Sequence, residues 1–233
     1  MKLLLIRHGQ SMGNLAWEEG REWDGETDPE LTPRGHDQAA ALARAFAEHR
    51  LPAPDHLLSS LMVRAVQTVA PVAAALDMPV TGVLDVHEVG GLSRRESAEA
   101  EEVPYAGLGR SRLAEHCPRL VLPEEATDQG WYHRDIEPRL RGWKRAKKVV
   151  KRLFAQYGET ETVAMVTHGL FINMLLWSAM GVKPPDPEPT LGTWHQLNNT
   201  ATVMLTAPGP YGERLWVNWV NRTDHLTPDL LTQ

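Results

Sequence analysis

Apolar positions along the chain switch between two periods, and the switching sets out the elements. Lys2 to Ile6 is a short aliphatic run that stops at Arg7-His8-Gly9, the pattern of a strand buried on both faces and ending at a loop. Thr32-Pro33 opens a helical pattern reaching about Arg50, with threonine at the N-cap, proline at the first helical position, and Ala39, Leu42, Ala43 and Phe46 on one face. Asp55 to Ser59 reads as a second strand, followed by a helix over about Met62 to Leu76 that Pro71 is expected to kink or shorten. Val80 to Val86 is a third candidate strand. Thr162 to Val166 is a fourth, ending at Thr167-His168-Gly169 before the apolar helix Leu170 to Met180. Ala201 to Thr206 and Leu215 to Val220 flank the turn-rich Ala207 to Gly212 and predict an edge hairpin.

This order predicts an α/β fold, a doubly wound and mostly parallel sheet with helices on both faces. Between Glu88 and Asp135 the periodicity fails and charges, Gly, Pro and Trp mix, too long a stretch for an ordinary connection. We read one domain over 1–233, with a cap-like excursion at about 93–135 that covers the carboxyl ends of the strands. A helix from Ile136 to Tyr157 carries eight cations between Arg139 and Arg152 around an apolar stripe of Trp143, Ala146, Val150 and Leu153, so those cations are expected on a solvated outer face. Pro184 to Pro189 reads as a surface linker.

Composition narrows the class. With 42% hydrophobic and 23% charged residues among 233, the chain can bury a core and is not a disordered one. Its longest apolar stretches, Leu3 to Ile6 and Val69 to Leu76, are too short to span a bilayer, and Arg7 interrupts the first before a secretory segment could form. One cysteine, Cys117, allows no internal disulfide and no multi-cysteine zinc site, which fits a reducing cytoplasm. The formal charge of −6 argues against nucleic acid as the main partner and favours a small molecule.

Candidate chemistry lies at the strand ends. Arg7-His8-Gly9 and Thr167-His168-Gly169 each set a histidine and a glycine just past an aliphatic run, and the second opens a helix whose first amides, those of Gly169 and Leu170, suit an anion. Two such histidines converge at one crevice if their strands are neighbours. The stretch LLLIRHGQSMGN at Leu3 to Asn14 resembles the nucleophile motif of the histidine phosphatase superfamily, the phosphoglycerate-mutase-like proteins. DPELTPRG at Asp28 to Gly35, SSLMVRAVQT at Ser59 to Thr68, HEVGG at His87 to Gly91 and VTHG at Val166 to Gly169 follow in the family's order. Similarity covers nearly the whole chain except about 93–135.

The resemblance implies a metal-independent phosphomonoesterase acting on a small-molecule phosphate ester through phosphohistidine, with no cofactor and no nucleic-acid or membrane partner. It casts His8 as nucleophile, Arg7 and Arg64 as the phosphate clamp, His168 as a further donor, Asn14 as a neutral donor beside the Gly169 and Leu170 amides, and Glu88 as the proton donor. The chain departs from the family where a Trp-Glu-Gly element often follows the acid, having Gly90-Gly91-Leu92 instead, so His87, Asp85 and Glu96 stand as alternatives to Glu88. A phosphoglycerate mutase uses the same pocket, and Arg94-Arg95 and Tyr105 compare only loosely with its carboxylate-holding residues. An inactive phospho-ligand-binding module is the reading from another class. His36, His49, His56, His116, His133 and His195 show no metal-ligand spacing. Trp17, Trp23, Trp131 and Tyr132 either line a leaving-group pocket or pack the excursion onto the core, packing being favoured.

Overall fold

A computed structural model describes residues 1–21, 27–94, 101–182, 195–207 and 215–233. Its centre is a seven-stranded sheet built from β1 (Lys2–Arg7), β2 (His56–Ser59), β3 (Val80–Gly82), β6 (Leu120–Val121), β7 (Thr162–Thr167), β8 (Thr202–Thr206) and β9 (Trp216–Arg222), in the order β6-β3-β2-β7-β1-β8-β9. The first five in that order are parallel; β8 runs antiparallel to β1, and β9 pairs antiparallel with β8. A separate two-stranded ribbon joins β4 (Ser93–Arg94) to β5 (Val103–Pro104). Continuous apolar runs in β1 and β7 follow from burial on both faces. Leu4 and Ile6 pack with α2 (Pro33–Ala47) and α3 (Val63–Leu76), whereas Leu3 and Leu5 pack with α5 (Arg139–Gln156) and α6 (Gly169–Ala179).

Local chemistry explains the boundaries. Thr32 caps α2 by accepting from the Gly35 amide at 3.0 Å, with Pro33 at the first helical position. Pro71 does not shorten α3, which runs on to Leu76 because its Val66, Val69, Val72 and Ala73 side chains are buried in one core. Val80–Gly82 is strand, but Leu84–Val86 turns into a 3-10 segment. The long basic helix starts at Arg139 rather than Ile136, since Pro138 keeps Glu137 out of helical geometry. Its buried stripe is Gly142, Ala146, Val149 and Leu153, and Arg145 is buried with them, so this cation departs from the expected solvated face. The edge hairpin of β8 and β9 forms as expected.

Met12–Glu18 forms a helix, α1, that the hydrophobic pattern does not predict, and its N-cap Ser11 and Asn14 bond reciprocally as a capping box. Within the stretch expected as a cap-like excursion, Leu120–Val121 joins the main sheet beside Val80–Thr81, following the short helix α4 (Arg110–His116). Trp131 and Tyr132 are buried in the core, where Tyr132 meets His87 edge-on at 5.0 Å, so these aromatics pack the excursion down. Trp17 is 72% exposed. Trp23, Arg95, Glu96, the Pro184 to Pro189 linker and most of the Ala207 to Gly212 turn lie outside the described residues.

Candidate active site

β1 and β7 are parallel neighbours with Arg7 opposite Thr167, so the residues just past both strands meet. Chain connections leave these strands toward opposite faces of the sheet, which opens a crevice at their carboxyl ends. His8 and His168 sit there, 3% and 0% exposed, with ring centroids 5.1 Å apart.

His8 is oriented by its own loop. Its Nδ1 lies 2.7 Å from the Gly9 carbonyl oxygen, which can only accept, so Nδ1 carries the proton. The Nε2 lone pair then accepts from Arg64 Nε at 3.1 Å. Burial, reinforced by the charges of Arg64 and Arg7, holds the imidazole well below its ordinary pKa, so it is neutral at physiological pH. The loop reaches this position through a glycine contact: a Cβ on Gly35 would lie 2.1 Å from the Gln10 carbonyl oxygen, and one on Gly9 would lie 2.7 Å from that of Gly35. Thr68 accepts from the Gly9 amide at 2.9 Å, and Asn199 and Thr200 donate to the His8 carbonyl at 3.2 Å.

Arg64 belongs to the first turn of α3, where Asp28 reaches it across 36 positions of sequence. One Asp28 carboxylate oxygen lies 3.4 Å from Arg64 Nη1, and the other accepts from the Val63 amide at 3.1 Å. Met62, the N-cap of this helix, offers no side-chain cap, so Asp28 both caps the helix and holds its arginine. Arg7 donates through Nη1 to the Leu197 carbonyl. Burial brings its guanidinium down to about 10, Glu88 opposing and Arg64 adding to the effect, and it remains a cation at neutral pH.

Ser60 Oγ accepts from the Met62 amide at 3.3 Å and lies 2.8 Å from His168 Nε2. Burial first, then the charge of Arg64, keeps this ring neutral too. His168 Nδ1 and Arg7 Nε are both buried without a hydrogen-bond partner among the described residues. Orphaned buried polar groups cost free energy unless a ligand satisfies them, and two cations around neutral imidazoles complete a pocket suited to a tetrahedral oxyanion.

Glu88 sits at the start of α6. Its carboxylate accepts from the Val89, Leu170 and Phe171 amides at 2.9, 3.2 and 2.8 Å. The Leu170 amide is therefore already engaged by Glu88 rather than open to an anion. The Gly169 backbone lies against Arg7, where an added Cβ would be 3.3 Å from Nε. Asn14 commits its carboxamide oxygen to Ser11 and Asn199, which leaves its amide nitrogen as the group for a ligand. Among the alternatives to Glu88, Asp85 pairs with Arg134 and Arg152 at 2.8 and 3.2 Å, and His87 is buried with burial lowering its pKa to about 3. Arg94 is exposed on β4. Among the described residues no group of three or more His, Cys, Asp or Glu side chains is arranged to hold a metal ion. No described helix is long and apolar enough to cross a membrane.

Sequence reasoning did not single out Asp28, Ser60, Thr68 or Arg145 for their roles. Asp28, Ser60 and Thr68 stand inside the quoted motifs, so their location was visible although their partners were not.

Fold and site together define an α/β chain with a buried oxyanion pocket between two strand-end histidines. The family model for the histidine phosphatase superfamily (branch 1) matches residues 3–218. The chain belongs to that superfamily. A mannitol-1-phosphatase of Eimeria tenella is 39% identical over 112 residues, a stretch covering 44% of this chain and only 35% of that protein. This chain thus matches about a third of that relative's length. A phosphoserine phosphatase mutant from Entamoeba histolytica, solved with phosphoserine, shares the fold at a TM-score of 0.61 and 24% identity, covering 97% of this chain and 99% of that one. A mycobacterial glucosyl-3-phosphoglycerate phosphatase does so at 0.61 and 19%, with 95% and 99% covered.

Proposed function

We propose that this protein is a metal-independent phosphomonoesterase that hydrolyses a small phosphorylated metabolite through a phosphohistidine on His8. The observation that carries the reading is the His8 ring: Nδ1–H is fixed on the Gly9 carbonyl, and the Nε2 lone pair is directed at Arg64. When Arg64 turns its donors to the phosphate oxygens the Nε2 lone pair is released, and a neutral imidazole held this way attacks phosphorus without a separate base. Arg7, Arg64 and His168 take up the charge on the transferring phosphoryl oxygens, the role that positioned cations and donors must fill in such a transition state. Asn14 adds a neutral donor, and the Gly169 backbone lines the pocket beside Arg7.

In the first step the bond from His8 Nε2 to phosphorus forms while the ester P–O bond breaks, and protonated Glu88 gives its proton to the departing alkoxide. In the second, Glu88 as carboxylate takes a proton from water, whose oxygen attacks phosphorus and releases inorganic phosphate and neutral His8. In this reading the chain is one domain, and the described part of the excursion other than Leu120–Val121, which belongs to the main sheet, serves as the cap on the substrate side. The single buried Cys117 thiol accords with a cytoplasmic setting.

The test is phosphate release from a panel of small phosphomonoesters, including mannitol 1-phosphate, phosphoserine and 3-phosphoglycerate, by the wild-type protein and His8→Ala. Turnover by the wild type and its absence in His8→Ala is the expected result. Binding of phosphate esters without release would favour the binding-module reading, and transfer of phosphate to a second organic acceptor would favour the mutase.

A further inference from the structure

We infer that Arg145, with its partner Glu137, is a positioning device for the proton donor Glu88, so that α5 controls the acid half of the reaction. The inference rests on the role of Glu88 in the reading above. Arg145 is a buried cation in the middle of a helix that the sequence marks as solvated and basic, 7% exposed where its neighbours Lys144 and Lys147 are exposed. Solvation does not require it there, and burying an unpaired guanidinium is costly.

Its contacts converge on the segment that carries Glu88. Nη1 donates to the carbonyls of Asp85 and His87 at 2.8 and 3.0 Å, fixing the backbone immediately before the acid. Glu137 holds the other edge of the guanidinium, accepting from Nε at 2.9 Å and from Nη2 at 2.5 Å, while its own amide donates to the Gly90 carbonyl at 3.0 Å. The pair therefore grips the chain on both sides of Glu88. The flat face of Arg145 lies 4.2 Å over the Phe171 ring, and the Phe171 amide is the shorter of the two α6 donors to the Glu88 carboxylate. One side chain thus fixes the backbone that carries the acid and stacks on a residue that holds its carboxylate. A planar fork does all of this at once and an ammonium cannot.

The experiment compares kcat/KM for an alkyl phosphate and for p-nitrophenyl phosphate in Glu88→Gln, Arg145→Lys and the double variant Arg145→Met with Glu137→Leu, which removes both charges together. A poor leaving group needs its proton in the transition state, and nitrophenolate hardly does. Misplacing the acid by ~1 Å should therefore depress the alkyl phosphate by at least about 10-fold more than p-nitrophenyl phosphate, against roughly 10²-fold for Glu88→Gln. The selective loss is expected in Arg145→Lys and in the double variant at unchanged active-site concentration, measured by burst titration. Loss of folded protein alone would lower both substrates equally, so an equal fall, or no fall in a folded variant, would overturn the positioning role. A Glu88→Gln variant without selectivity would instead refute the acid itself, and the inference with it. Arg145→Lys keeps the charge, so it answers the question even if the double variant does not fold.

Discussion

Asp28→Ala should be among the most damaging single changes near the site, although the residue touches neither histidine. Its carboxylate caps α3 through the Val63 amide at 3.1 Å and lies 3.4 Å from Arg64 Nη1, with the two side chains 2% and 12% exposed. Losing an N-cap costs about 1 kcal/mol. Removing one partner of a buried pair costs ~3–5 kcal/mol, and the long 3.4 Å separation puts this one at the lower end. A loss of about 4 kcal/mol in all lowers Tm by roughly 8–16 °C for a chain of this size. Arg64 keeps its bond to His8 but loses its strut, so kcat/KM should fall by about 10-fold or more through loosened geometry. Asp28→Asn separates the two effects, because its amide oxygen still caps Val63 and should recover about 1 kcal/mol. Thermal unfolding and steady-state kinetics on the three proteins check this. A Tm for Asp28→Ala within about 3 °C of wild type would refute the reasoning, since that shift is worth only ~1 kcal/mol.

Stability should fall as pH drops from 7 to 5. Burial lowers the folded pKa of His87 to about 3 and of His225 to about 4, and depresses His8 and His168 as well, so each stabilises the fold above its unfolded value and loses that contribution as the unfolded chain takes up protons. His87 and His225 are each worth about 2 kcal/mol over that interval. Urea unfolding at both pH values should show the decline, with His225→Gln flattening it, and pH-independent stability would contradict it. Activity should persist in excess EDTA, because Arg7 and Arg64 supply the cations that a metal would otherwise supply; loss restored by one divalent ion would overturn that. Gly35→Ala should lower both Tm and kcat, since its Cβ would meet the Gln10 carbonyl oxygen at 2.1 Å and push the His8 loop aside. Unaltered kinetics would show that the loop tolerates the shift.

Much of the fold was legible because burial on two faces writes itself into sequence: Lys2 to Ile6 and Thr162 to Val166 are strands in register, and Thr32-Pro33 starts its helix where capping chemistry places it. His8 and His168 were legible as a pair because both follow such strands. What escaped lacks a local signal. Leu120–Val121 is only two residues long, and its pairing is supplied by the edge of β3. Helix α1 carries Asn14 rather than Glu at the third helical position of its capping box, so its start lacked the usual helix signal. Asp28 and Arg145 owe their roles to partners up to 36 and 60 positions away, contacts to which periodicity is blind. The amphipathic pattern of α5 even pointed the wrong way for Arg145, since a salt bridge to Glu137 allows a cation on the buried stripe.

The central claim is that phosphorus passes through the Nε2 atom of His8. Wild-type protein mixed with a ³²P-labelled substrate and quenched in the steady state should carry label that is lost in acid and stable in base, as a phosphoramidate is, and peptide mapping should locate it on His8. His8→Ala should carry none and turn over at below about one per cent of wild type. Rapid turnover with no acid-labile label at His8, or label retained in His8→Ala, would contradict the account.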